Sequence, residues 1–101
     1  MDKKMIRQAQ ELQAKLVKAQ EELANETVEG SAGGGAVTIV VDGQQRVHSV
    51  KISPDAIDPD DPGLLEDIVL AAINEALEKS QQLAQERMGA VTGNTKFPGL
   101  F

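Results

Sequence analysis

At 101 residues and 10.8 kDa, the chain is one domain of ordinary size whose core is marginal if it stands alone, so oligomerisation is expected. Hydrophobic residues make up 41% of it and aromatic residues only 2%, namely Phe97 and Phe101, so the core is aliphatic and lacks the Trp and Tyr anchors that dominate a compact binding pocket. The absence of cysteine excludes disulfides, thiolate nucleophiles and Cys-ligated zinc, and a net charge of −6 counts against nucleic acid unless the cations are gathered in one place.

No apolar run approaches the roughly 18 residues needed to span a bilayer, and the opening MDKKMIRQAQ lacks the apolar stretch of a secretory signal. No membrane partner is expected, and a cysteine-free chain suits a reducing cytoplasm.

From Lys3 to about Ala24 the sequence reads as one helix, rich in Gln, Glu, Lys, Leu and Ala and free of Gly and Pro. Met5, Ala9, Leu12, Leu16, Ala19 and Leu23 alternate four and three apart, the seam of a helix packed along another element. The spacing leaves open whether this stripe covers the sheet or second helix of its own chain, meets another chain, or does each along different stretches. Glu11 and Lys15 add a favourably oriented i,i+4 pair.

Thr27 to Ile52 changes period. Val37, Ile39 and Val41 alternate with Thr38 and Val40, and Val50 and Ile52 alternate with Ser49 and Lys51, which predicts strands. Asp42-Gly43 between them predicts a two-residue type I′ hairpin. Thr27 to Ala32 is a weaker strand, joined onward through Gly33-Gly34-Gly35. The expected sheet is a three-stranded antiparallel meander whose outer edges need protection or a partner.

Ser53 to Gly63 is an acidic, proline-punctuated loop. Asp61 is placed to cap a second helix with Pro62 at its first position, and Glu66 and Asp67 suit its positive end. Leu65, Ile68, Val69, Ala72, Ile73, Ala76, Leu77, Leu83 and Ala84 mark its apolar face to about Met88. From Gly89 onward turn formers replace the periodicity. The fold class is therefore α+β in the order α-β-β-β-α, one domain over residues 1–92 with a mobile tail at 93–101.

Few residues invite chemistry. The cluster GSAGGG at 30–35 lacks the Gly-Lys-Ser/Thr ending of a P-loop and precedes a strand where a nucleotide loop opens a helix, so it reads as a tight connection or a close backbone approach. Prolines among Asp55, Asp58, Asp60 and Asp61 break the spacing of a calcium loop, and no bidentate Glu follows. His48 shares a strand face with Val50 and Ile52 and reads as partly buried and hydrogen-bonded; no nucleophile or second histidine accompanies it. No enzyme, cofactor or metal site is expected.

The cations are more informative. Residues 1–18 hold Lys3, Lys4, Arg7, Lys15 and Lys18 against Asp2 and Glu11, a local balance of +3 that leaves −9 on the remainder. The first helix thus begins basic in an acidic protein. A merely solvated helix face is the plainer reading of the same residues.

Several segments resemble the YbaB/EbfC family of nucleoid-associated proteins. They are the Gln-rich helix RQAQELQAKLVKAQEELA at 7–24, VEGSAGGGAVTIVVDG at 28–43, VKISPDAI at 50–57, LLEDIVLAAINEAL at 64–77, Met88, Thr92-Gly93 and Phe97-Pro98-Gly99. The pieces stand in family order over nearly the whole chain. The resemblance implies a subunit that dimerises through its sheet with paired helices projecting as arms. It also implies a bacterial, cytoplasmic, nucleoid-associated homodimer that binds duplex DNA with little sequence preference and acts in nucleoid organisation or gene regulation. The arms carry the family's DNA contacts, so by element and charge these fall on Lys3, Lys4, Arg7, Lys15 and Lys18 of the first helix and on Lys79 and Arg87 of the second. Glu21, Glu22, Glu75, Glu78 and Glu86 also lie on the arms, and their acidity keeps a second expectation open: a dimeric adaptor that docks a protein partner and binds little or no DNA.

Overall fold

The computed structural model describes residues 2–93. In chain order it contains α1 (Lys3–Leu23), β1 (Thr27–Ala32), β2 (Val37–Asp42), β3 (Val47–Ile52), a single 3-10 turn (Pro54–Ala56) and α2 (Pro62–Gly93). The three strands form one antiparallel sheet in the order β1-β2-β3, which is the α-β-β-β-α arrangement expected from the sequence.

One face of the sheet is apolar. Val37, Ile39 and Val41 alternate along β2 and are fully buried against Ala72 and Ala76 of α2, with Val28, Ala32, Ile52, Ile68 and Ile73 packed around them. Strand periodicity puts every second side chain on that face, and the opposite face carries Glu29, Ser31, Thr38, Ser49 and Lys51.

Gly30 explains how β1 lies so close to the helix. A Cβ there would collide with the backbone N of Ala76 and the carbonyl of Ala72, so the strand reaches van der Waals contact with the α2 backbone only because Gly30 has no side chain. β1 then turns back through Gly33, Gly34 and Gly35, all at positive φ.

The β2–β3 connection departs from the expected two-residue turn. It runs from Gly43 to Arg46, and the residue in the left-handed region is Gln45, at φ 66°. Gly43 serves another purpose: its N–H donates to the carbonyls of Leu23 (2.8 Å) and Glu26 (2.9 Å), and an added Cβ would stand 2.7 Å from the Leu23 side chain. The hairpin tip is thereby tied to the end of α1. Ser80 of α2 ties it from the other side, its buried hydroxyl donating to the Asp42 carbonyl at 2.7 Å.

Two further expectations are corrected. Val40 pairs with Ser49 and Val41 with Val47, so His48 is the extra residue of a β-bulge; it is exposed, its side chain retaining 42% of its accessible area, because β3 is an edge strand that α2 does not cover. And α2 continues five residues past Met88, through Gly89 to Gly93. Ala90 and Val91 face Lys15 and Ala19 of α1 across a shallow cleft, so the neighbouring helix supports a turn that local propensity leaves weak. Of the tail placed at 93–101, residues 94–101 lie outside the described residues.

Candidate nucleic-acid interface

The two helices separate the molecule into a sheet-bearing body and an arm. Leu23 and Ala19 of α1 are buried, Leu16 and Leu12 are half-buried, and residues 2–11 are all exposed. The seam predicted from spacing therefore covers the chain's own α2 along its C-terminal half, while Met5 and Ala9 continue the same line in solvent.

An α-helix advances about 100° per residue, and on that wheel Lys3, Lys4, Arg7, Lys15 and Lys18 all fall within an arc of about 120° whose centre lies about 150° around the helix from that of the seam, with Lys15 and Lys18 bordering the cleft toward α2. Over the roughly 22 Å of axis between Lys3 and Lys18, Ala14 and Glu11 share the arc, Glu11 being the one acid among them; Glu21 and Glu22 follow beyond. None of the five cationic side chains makes a hydrogen bond or ion pair among the described residues. Asp2 begins the helix by accepting the Lys4 N–H at 3.0 Å, which caps the first turn and fixes where the basic face starts.

Lys79 and Arg87 are differently placed. Lys79 Nζ lies 3.1 Å from Glu75 Oε1 and donates to the Glu29 carbonyl at 2.9 Å. The Glu75 carboxyl is held below its ordinary value first by Lys79 and then by the Ser31 N–H. Arg87 Nη2 donates to Glu26 Oε1 at 2.6 Å, and its Nη1 lies 3.5 Å from Glu22 Oε2. The other Glu26 oxygen is buried with no hydrogen-bond partner among the described residues, so the guanidinium is what compensates that carboxylate. Of the seven cations named from sequence, five have no hydrogen-bond or ion-pair partner among the described residues and two are engaged with Glu75, Glu22 and Glu26.

Asp42 is the polar centre of the body. Its carboxylate accepts the N–H groups of Gln44 (2.8 Å) and Arg46 (3.1 Å) and meets His48 Nε2 at 2.8 Å. The hydrogen bond to His48 is the largest influence holding its pKa below the ordinary aspartate value; burial opposes it, and the two backbone donors assist. This arrangement holds the β2–β3 turn in shape, as the turn chemistry of Asp allows. Among the described residues no group of three or more His, Asp or Glu side chains is arranged to hold a metal ion, and no helix is long and apolar enough to cross a membrane.

The apolar surface was not singled out in the sequence. Val47 and Val50 of β3 lie on the same sheet face as the buried β2 residues, yet they are 46% and 53% exposed because α2 covers β1 and β2 and stops short of β3. On α2, Leu65, Val69, Leu70 and Ile73 line an open groove, and Leu64 and Ile57 are also exposed. Leu64 and Leu70 stand off the helix stripe that fills the core, which is the signal by which they were legible.

A model of the YbaB/EbfC DNA-binding family matches residues 1–95. A nucleoid-associated protein of Pelotomaculum thermopropionicum is 50% identical over 98 residues, covering 97% of this chain and 93% of that protein. One of Chloroflexus aurantiacus is 50% identical over 99 residues, covering 98% and 97% respectively. The crystal structure of an uncharacterized Helicobacter pylori protein superposes with a TM-score of 0.67 at 13% identity, covering 86% of this chain and 98% of that one, a likeness of fold.

Proposed function

The chain belongs to the YbaB/EbfC DNA-binding family, and from that premise we propose that it binds duplex DNA as a homodimer, through phosphate contacts made by its arms. The observation that carries the reading is the row of five exposed cations, Lys3, Lys4, Arg7, Lys15 and Lys18, along α1, none of them paired among the described residues. Lys79 and Arg87 contribute positive potential at the arm's base while remaining engaged with Glu75, Glu22 and Glu26. No base-reading set accompanies the cations, so the contacts position the protein without selecting sequence. The relatives' names support a place at the nucleoid, with a role in organising it or in regulating genes.

The homodimer reading rests on the uncovered part of the core face. Val47 and Val50 of edge strand β3 are exposed apolar residues on the core face, and Leu65, Val69, Leu70 and Ile73 of α2 line an open apolar groove, features of the kind that mark an interface. A second copy joined through the sheet covers these residues with its own. Light scattering at micromolar concentration is expected to report twice 10.8 kDa; a monomer overturns this part.

Two chains carry a formal charge of −12, twice −6. Salt at physiological strength screens charges beyond about 8 Å, so phosphates at the basic face respond to Lys3, Lys4 and Arg7 ahead of distant carboxylates. With four to six phosphates neutralised, log K for a DNA duplex should fall with log salt at a slope of about −4 to −5. The variant Lys3→Gln, Lys4→Gln, Arg7→Gln keeps good helix formers and should flatten that slope. An unchanged slope in the folded variant places the contacts elsewhere. A parent protein silent towards DNA turns the reading to the protein-docking adaptor.

A further inference from the structure

Between the seam that faces α2 and the cationic face, α1 carries a third stripe. Ile6, Gln10, Gln13, Val17, Gln20 and Ala24 are spaced four, three, four, three and four apart, a second heptad-type line rotated about 100° from the first. Ile6 and Val17 are 42% and 51% exposed, and all three glutamines are exposed. No charged residue of α1 lies in the stripe. A surface stripe on an otherwise charged helix that repeats at coiled-coil spacing and excludes charge is unusual for a purely solvated face.

We propose that this stripe docks α1 of a second copy of the chain in antiparallel orientation, a contact separate from the sheet interface and independent of DNA. The stripe is its own chemical complement, since each glutamine amide both donates and accepts. The flanking charges select the direction. Arg7, Ala14 and Glu21 each follow a stripe position by one residue and so form one edge of the seam. In the antiparallel register that sets Ile6 opposite Ala24, Gln10 opposite Gln20 and Gln13 opposite Val17, Arg7 of each copy lies beside Glu21 of the other, and the two Ala14 residues meet at the centre. A parallel pair sets Arg7 beside Asp2 of the other copy but leaves Glu21 beside Leu16, so edge-charge matching favours the antiparallel register, in which both charged edge positions are paired.

Among the described residues nothing blocks the seam, whose Ile6, Gln10, Gln13, Val17 and Gln20 are all exposed. The side chain of Gln44 reaches α1 near Gln20 but donates to its main-chain carbonyl, at 2.6 Å, leaving the Gln20 amide available. The contact proposed here is between the arms of two different dimers, so it yields an assembly larger than two chains.

Sedimentation of the full chain across concentration, without DNA, tests this. The parent is expected to pass beyond the dimer mass at high concentration. Val17→Glu should remove that step, since it buries a charge without a partner. Arg7→Glu should shift its midpoint by about tenfold or more, and Arg7→Glu combined with Glu21→Arg should restore it, which a merely misfolded variant cannot do. The chain has no cysteine, so an Ala14→Cys variant offers one thiol per copy, and a short bismaleimide should join two of them in the parent background but not with Val17→Glu. Mass and crosslinking unaffected by Val17→Glu and Arg7→Glu overturn the proposal. Val50→Glu distinguishes it from the sheet dimer: loss of the dimer there with the Ala14 crosslink retained supports two separate contacts. If the parent stays a dimer at every concentration and only Val50→Glu dissociates it, the sheet reading stands and the α1 contact does not.

Discussion

The body and the arm of this protein are specified in different ways. In the body, β1, β2 and the first half of α2 interlock so closely that Gly30 admits no side chain and Ser80, Gly43 and Asp42 knot the hairpin tip to both helices. In the arm, residues 2–11 of α1 are entirely exposed, and its organisation lies in which residues share a face. Packing fixes the first region; periodicity and charge fix the second. A region of the first kind punishes single atoms, and one of the second kind tolerates replacement as long as the helix and its face pattern survive.

The sharpest test of that contrast is Gly30→Ala. The obstructing atoms are α2 backbone, which cannot rotate aside as a flexible side chain can, so the strand or helix must move. Overpacking of this kind costs about 1–3 kcal/mol and sometimes more, and we expect the upper end in urea unfolding, with a tendency toward failed folding. A cost below about 0.5 kcal/mol, the range of ordinary surface changes, would show that the body yields as readily as the arm.

A smaller effect is expected at Asp42, and it depends on pH. Its folded carboxyl lies below the ordinary aspartate value, chiefly through His48. The stabilisation it brings is therefore present above the unfolded value, about 3.9, and is lost as pH falls through the lower, folded one. Asp42→Asn should accordingly destabilise the protein at neutral pH and matter progressively less on acidification below pH about 4. Equal destabilisation at pH 7 and at pH 3 would break the link to ionisation and leave only the shape of the turn.

The elements themselves were readable because each carries its own period: four-three spacing in α1, alternation in β2, and the α2 stripe from Leu65 onward. What escaped depended on partners distant in sequence. Gly43 resembles a turn glycine until Leu23 is seen against it, and the extent of α2 beyond Met88 follows from Lys15 and Ala19 across the cleft. His48 was readable as a hydrogen-bonded residue but not as a bulge, since pairing register is a property of two strands. At the candidate interface the seven cations were visible as charges. That five have no partner among the described residues and two are bound to Glu75, Glu22 and Glu26 was not, because those acids lie 4 to 65 residues away along the chain.

The smallest effect on stability is expected for the triple change at Lys3, Lys4 and Arg7. These side chains touch nothing that holds the fold, so unfolding should shift by no more than about 0.5 kcal/mol even as the salt dependence of DNA binding falls. A cooperative transition weakened by more than that would mean the arm tip is part of the body after all.

Helix α2 has a mechanical meaning. It runs unbroken for 32 residues, about 48 Å at 1.5 Å per residue, with its first half clamped in the sheet and its second half carrying the arm. Such a beam has no hinge at the point where it leaves its support, so the arm's direction is set at the clamp. An angular error there is magnified toward the tip in proportion to length. Gly89, the one interior glycine of its free half, with open space around it, is where the beam is most compliant. In the proposed dimer, two such beams would form a rigid caliper with slight give near its ends, suited to a cylinder of constant diameter whose surface it need not read.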